Sequence, residues 1–167
     1  MIAHTFTRPG ALCPFTARTW PENGDWLDAA RATSLEHLPV WIAPELWRVE
    51  LEGHVAAPAA QLLAERGRLV EQVDAWDRRT AEAFVAGCIG RTIERLELRP
   101  DDTTLALLAA DARSCGAPDA NVCGWLAARA AFVSSGADGH RREREHQARW
   151  LVERLQLRRQ SDIGEVV

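Results

Sequence analysis

The sequence predicts an α+β fold: a small N-terminal antiparallel sheet packed against a C-terminal bundle of about four helices. Three observations predict it. The stretch ELWRVELEGHV, Glu45 to Val55, alternates apolar and polar residues with a period of two, the pattern of a half-buried strand. From Asp77 onward, apolar residues recur at helical spacing in a background rich in Ala, Leu, Arg and Glu. Residues 1–60 carry six of the eight prolines and four of the seven Trp, a punctuated composition that breaks helices early. With 167 residues the chain fits a single domain, with a strand-containing part at 1–76, a helical part at 77–160 and a tail at 161–167.

In chain order, a short strand is expected near Cys13–Ala17 and short helices at Asp25–Ala32 and Leu35–Ile42. In the Glu45–Val55 strand, Trp47, Val49, Leu51 and Val55 fall on one side, and Arg48, Glu50, Glu52 and His54 on the other. Gly53 interrupts it and marks a bulge or a close backbone approach. Residues 62–76 read two ways. Leu62, Leu69, Val73 and Trp76 fit a helix, while Gly67 followed by RLVEQVDAW fits a turn and a second strand. The strand, Arg68–Asp74, is favoured because an isolated strand needs a partner.

The first helix runs from Arg78 to Leu96 with Asp77 as N-cap and Phe84, Cys88 and Thr92 on one stripe. The second begins at RPDDTT, where Pro100 suits a first turn and Asp101 and Asp102 suit the positive helix end, and stops near Gly116. The third starts at Pro118 and Asp119, carries Val122, Trp125, Leu126, Arg129 and Phe132 as its stripe, and ends at Gly136. The fourth runs from Gly139 to Leu157 with Trp150, Leu151, Arg154 and Leu155 on its face. Short Gly and Pro joints imply antiparallel neighbours.

Composition excludes several chemistries. All 20 basic residues are Arg, so Schiff-base catalysis and a P-loop lysine are ruled out. Tyr is absent, which removes another general acid. The net charge of -4 gives no general attraction to nucleic acid or anionic membrane, and neither is expected as a partner. The four cysteines, Cys13, Cys88, Cys115 and Cys123, form no CxxC pair. The N-terminus MIAHTFTRPG lacks an apolar signal core, and the longest uncharged apolar run, Leu105–Ala110, is too short to span a bilayer. A reduced, cytoplasmic protein is expected, with homo-oligomerisation left open.

Two segments carry a family resemblance. LPVWIAPELWRVELEGHV followed by AERGRLVEQVDAWD resembles the core of a family of small uncharacterised proteins common in actinobacteria, whose pattern is close to LPxWLxxELWRVELxGEV and then RGRLxxxVxxWD. PFTARTWP, Pro14 to Pro21, is similar to their early Phe/Trp-Pro segment, and QARWLVERLQL, Gln147 to Leu157, to their terminal helix. The resemblance covers most of the chain and implies organisation rather than a mechanism. Where those proteins usually carry a Gly-Val-His-Ala-Cys-like stretch, this chain has AARAT, Ala29 to Thr33, and where they have Gly-Glu-Val it has Gly53-His54-Val55. A role that needs that His and Cys does not carry over, which reads either as drift or as recruitment to another task, such as a step in small-molecule biosynthesis.

No metal site and no cofactor are expected. His4, His37, His54, His140 and His146 form no i, i+4 pair, and neither GxGxxG nor GxSxG occurs. Two places remain. One is the polar row of the strand. If covered, Glu50 or His54 would serve as base and Arg48 would hold an anion; if open, the row is a solubilising face. Trp26, Trp41 and Trp76 are the candidate substrate-binding aromatics, with core filling as the alternative. The other is residues 141–159, with seven Arg and three Glu, either a solvated helix face with internal ion pairs such as Glu145–Arg149 or a contact for an anionic partner. Two function classes follow. The first is a cofactor-independent biosynthetic enzyme acting on a small organic molecule by acid/base chemistry, of the cyclase, isomerase or lyase type. The second is a non-catalytic interaction or regulatory protein that uses its Arg-rich C-terminal helix.

Overall fold

The computed structural model describes residues 1–13, 16–21 and 24–157. The strand expected near Cys13–Ala17 overlaps positions 14 and 15, which lie outside the described residues. The chain forms two compact units, one from Met1–Trp76 together with the chain from Ala148, the other from Asp77–Gln147. A four-stranded antiparallel sheet and a set of helices make the fold α+β, as the sequence predicts. Among the described residues no helix is long and apolar enough to cross a membrane.

The sheet contains β1 (Ile2–Thr7), β2 (Leu27–Ala32), β3 (Glu45–Ala56) and β4 (Leu62–Gln72) in the order β1-β3-β4-β2. The backbone N–H of Thr33 donates to the carbonyl of His4 at 2.8 Å, so a single bridge joins the two outer strands. That bridge satisfies edge groups that would otherwise be open for intermolecular pairing. Trp20, wholly buried, packs with Ala3, Ala30, Val49, Leu51, Ala64 and Leu69 in the core of this unit.

In this half two expectations are corrected, one short helix is found in 3-10 form and one strand is missed. Strand β1 is not foreseen from the sequence. Asp25–Ala32 is not a helix: Leu27–Ala32 is a strand paired with β4, Ala30 opposite Ala64. Its Ala-rich sequence favours helix intrinsically, but pairing and burial of Leu27, Ala30 and Ala32 override that weak preference. Leu35–Ile42 forms only a 3-10 helix, Leu35–Val40, with Pro39 inside it. Finally, β4 begins at Leu62 and runs through Gly67, which is no turn. A Cβ there would stand 2.8 Å from Ala30 Cβ and 2.9 Å from Leu51 Cδ2, so glycine makes room for two core neighbours.

Two bulges shape the β3–β4 pairing. Arg48 faces Glu71 while Val49 faces Leu69, so Val70 is an extra residue on β4. Glu52 faces Arg66 while Val55 faces Ala64, so β3 carries the extra residue at the second bulge. Gly53 lies there with φ 81°, and the Glu65 side chain occupies the space a Cβ would need. The bulge reading of Gly53 holds, while its close neighbour is a side chain rather than another stretch of backbone.

The helical unit contains α1 (Arg78–Leu98), α2 (Thr103–Arg113) and most of α3 (Ala120–Arg154). Asp77 Oδ1 accepts from Thr80 N at 2.7 Å and Asp102 Oδ1 from Leu105 N at 3.1 Å, both N-caps of the side-chain type. Non-helical Ser135 and left-handed Gly136 (φ 64°) split α3 into two arms, so the expected third and fourth helices meet there. A Cβ on Gly139 would collide with the Ala131 carbonyl, so the arms require glycine where they approach. Leu105, Leu108, Ala112, Leu126 and Ala130 form the apolar core. Of the four apolar residues in the stripe expected on the third helix, three are exposed. Leu126 is buried, but Val122, Trp125 and Phe132 are 54, 52 and 43% exposed. Small residues, Cys123, Ala127, Ala130 and Ala131, form the buried face instead, where the helix packs closely.

One carboxylate ties α1 to the second arm of α3. Glu143, 2% exposed, accepts from Arg91 Nε at 2.9 Å, Arg95 Nη2 at 2.7 Å and Gln147 Nε2 at 2.9 Å. Burial alone would raise its pKa; Arg91, the Gln147 hydrogen bond and Arg95 outweigh that and hold it below the usual carboxylate range. Removing one partner of a buried pair leaves uncompensated charge. Glu143→Ala is therefore expected to cost about 3–5 kcal/mol in urea unfolding, whereas Glu82→Ala, which breaks the exposed Arg78–Glu82 pair, costs under about 1 kcal/mol. Equal, small losses for both variants would refute this ranking.

Candidate functional site

Strand register lines up side chains in rows across the sheet, because residues directly opposite in an antiparallel pair share a face. His4 on β1 is opposite Arg48 on β3, and Arg48 is opposite Glu71 on β4. Regular pairing would continue from Glu50–Arg68 to Arg48–Val70; the extra residue at the bulge brings Glu71 to Arg48 instead. Arg48 Nη2 lies 3.3 Å from Glu71 Oε2. The row borders a cleft of about 590 Å³, also lined by Gln72, Asp74 and Gln156.

His4 is 5% exposed. Its Cα lies opposite Arg48 in the β1–β3 register, and its carbonyl accepts from Thr33 N on the other edge. Burial first, and the neighbouring positive charge of Arg48 second, lower its pKa from 6.5 to about 4. At neutral pH the imidazole is uncharged, one ring nitrogen a donor and the other an acceptor. A neutral imidazole, a guanidinium and a carboxylate thus stand in one row at a cleft. That combination can bind an anionic group and move a proton beside it.

Of the residues expected from the strand, Arg48 lines the cleft. Glu50 accepts from Arg68 Nε at 2.8 Å and lies 2.6 Å from Arg68 Nη2, while Glu52 pairs with Arg66 at 2.8 Å. Both arginines stack on Trp26, at 4.8 and 4.9 Å from its ring centre. This half of the row is an ion-pair ladder, with Arg66, Arg68, Glu50 and Glu52 each between 37 and 49% exposed. His54 is exposed beyond the Gly53 bulge. Trp76 is 7% exposed, donates its indole N–H to the Ala43 carbonyl at 2.9 Å and meets Phe6 edge to face, a core role. Trp41 is partly buried, next to the 3-10 helix.

A second cleft in this unit, about 630 Å³, lies beside Trp47, Leu69 and Val70. Its ionisable lining residue, Glu45, accepts from Thr7 Oγ1 at 2.9 Å and Trp47 Nε1 at 3.4 Å, so its carboxylate is engaged in structure. The His4 cleft carries the richer chemistry. His4 itself has a faint sequence signal: Ile2, His4 and Phe6 share a period of two in IAHTFT.

Between pH 6.5 and about 4 the unfolded chain binds a proton at His4 that the folded state refuses. Stability contributed by the neutral imidazole is therefore full above that window and lost as pH falls through it, by about 3 kcal/mol. Unfolding midpoints of the wild type and His4→Gln are expected to run parallel above pH 7 and to diverge between pH 6.5 and 4, the wild type falling more steeply. Parallel curves throughout would contradict a neutral buried His4. No family model, curated protein or solved structure matches the chain.

Proposed function

We propose that the chain is a cofactor-independent enzyme that acts on a small organic anion by acid/base chemistry, of the isomerase, cyclase or lyase type, as in a step of small-molecule biosynthesis. The observation that carries this reading is the His4–Arg48–Glu71 row at the 590 Å³ cleft. Arg48 anchors a carboxylate of the substrate through its guanidinium. Glu71 orients Arg48. His4 takes a proton from carbon and returns it elsewhere on the substrate.

The depressed pKa of His4 fits this cycle. An imidazole with a pKa of about 4 is a weak base in the empty cleft. A substrate anion on Arg48 cancels part of the charge that depresses it, so base strength rises when substrate arrives. Glu50, one row away and paired with Arg68, supports the sheet beside the site rather than the proton transfer.

A second reading is an interaction protein using the Arg-rich last helix. It is supported by a cleft of about 280 Å³ in the helical unit, where Arg142 and His146 lie beside Arg91 and Arg95.

A panel of enolisable small carboxylates in D2O, followed by proton NMR, tests the first reading. At least one member is expected to bind and to exchange a carbon-bound proton for deuterium. Arg48→Gln is expected to weaken binding tenfold or more, about 1.4 kcal/mol, and His4→Gln to abolish exchange while binding survives. Binding and exchange that ignore both substitutions, or no binding across the panel, would overturn it.

A further inference from the structure

The first arm of α3 turns its large side chains away from the core. Cys123, Ala127, Ala130 and Ala131 form its buried face, while Trp125, Arg129 and Phe132, spaced i, i+4 and i+7, share the outer one. Trp125 and Phe132 are large apolar side chains left exposed. The other six Trp are buried or half-buried, so Trp125 is the exposed one of the seven. After the break at Ser135 and Gly136, Ala137 and His140 of the second arm join these three residues around a cleft of about 350 Å³. That volume sits at the small end of ligand pockets, which run from about 300 to 1,000 Å³.

The polar side chains of the cleft are both basic in type. Arg129 holds its guanidinium 5.2 Å from the centre of the Phe132 ring, a cation–π contact that fixes its position. His140 is half-buried. Burial first, and the Arg144 charge second, lower its pKa, so at neutral pH the imidazole is uncharged with one N–H to donate. Among the described residues no acid lines the cleft, and Asp138, next to Ala137 in the chain, is paired with Arg141 at 2.9 Å. A fixed guanidinium with no acid in its cleft, beside an exposed indole face, matches a flat ring that carries a carboxylate. A second copy of this face matches less well: a two-fold contact centred on the cleft would set two basic linings against each other with no acid between them.

We propose that this cleft binds a small planar aromatic carboxylate, with the ring stacked on Trp125 and the carboxylate on Arg129. Phe132 positions the guanidinium, and the His140 N–H donates a further hydrogen bond to the ligand. An indole face favours an aromatic ring over a saturated one of the same size, and a guanidinium fork takes both oxygens of a carboxylate. The site therefore reads ring and charge together. All five lining residues belong to the helical unit, so this site is independent of the proton-transfer reading of His4.

The test titrates the full-length, nitrogen-15-labelled chain with benzoate and with naphthoate and follows the Trp125 indole N–H by NMR, its signal identified as the one missing from Trp125→Phe. A saturable shift is expected with at least one of the two. Cyclohexanecarboxylate keeps the charge without the aromatic ring, and benzyl alcohol keeps the ring without the charge; each is expected to bind about tenfold more weakly, or worse. Arg129→Gln, checked for native circular dichroism, is expected to weaken binding to a similar extent, and Arg48→Gln to leave it unchanged. No saturable shift with either aromatic carboxylate, equal affinity for cyclohexanecarboxylate, or binding that ignores Arg129→Gln would overturn the proposal. So would a response lost in Arg48→Gln, which belongs to the His4 cleft. A Trp125 signal that moves with protein concentration alone, together with a dimer in sedimentation, means that a second copy covers the face and also overturns it. If Arg129→Gln does not fold, the comparison among the four ligands decides.

Discussion

One extra residue in β4 decides what the polar face of the sheet contains. Val70 opposes nothing on β3, and every residue after it on β4 is shifted by one relative to the regular pairing. A one-residue shift moves side chains to the opposite face. Upstream of the bulge, in β3 order from Val49 to Glu52, apolar Val49 and Leu51 go to the Trp20 core and Glu50 and Glu52 go to the ion-pair ladder. Past it, Glu71 instead of Val70 meets Arg48, and Arg48 in turn meets His4. The titratable row is a product of that irregularity, not of the regular strand pattern. Bulges next to functional residues commonly redirect a side chain in this way.

The two units place their charges differently. In the sheet unit, the ion pairs Arg48–Glu71, Glu50–Arg68 and Glu52–Arg66 are partly exposed and cross-strand, and each contributes about 0–1 kcal/mol. In the helical unit, Glu143 is buried and takes three hydrogen bonds, so the second arm of α3 is held to α1 by a cluster that tolerates no missing member. Arg91 belongs to this cluster and to the Cys88 environment at once, bonded to Glu143 through Nε and to the sulfur through Nη2. The ion cluster and the buried Cys88 sulfur therefore share one guanidinium.

Much of the fold was legible in the sequence. Period two exposed β3, helical spacing exposed α1 and α2, the Asp77 cap marked the start of α1, and Gly136 marked the break in α3; Pro100 and Asp101, expected in the first turn of the second helix, lie before α2, which starts at Thr103 with Asp102 as its cap. What was not legible has identifiable physical causes. β2 is written in Ala, Asp and Arg, residues whose local preference opposes the strand that pairing imposes. The buried face of α3 is Ala and Cys, so its large apolar residues pointed to the wrong side. At the site, Arg48 was legible from strand parity. Glu71 was not, because the bulge that carries it is invisible in an alternating pattern, and His4 was not, because a six-residue strand at the N-terminus gives little periodicity.

The central claim is that His4 is a neutral imidazole tuned by Arg48 at an anion-binding cleft. Nitrogen-15 NMR of the His4 ring against pH, in the free protein and with a bound small carboxylate, tests it most directly. The account expects a neutral ring in the free protein down to about pH 4, and a clear upward move of the titration when the carboxylate occupies Arg48. A ring that titrates near its ordinary value in both states, with no response to the anion, would contradict it.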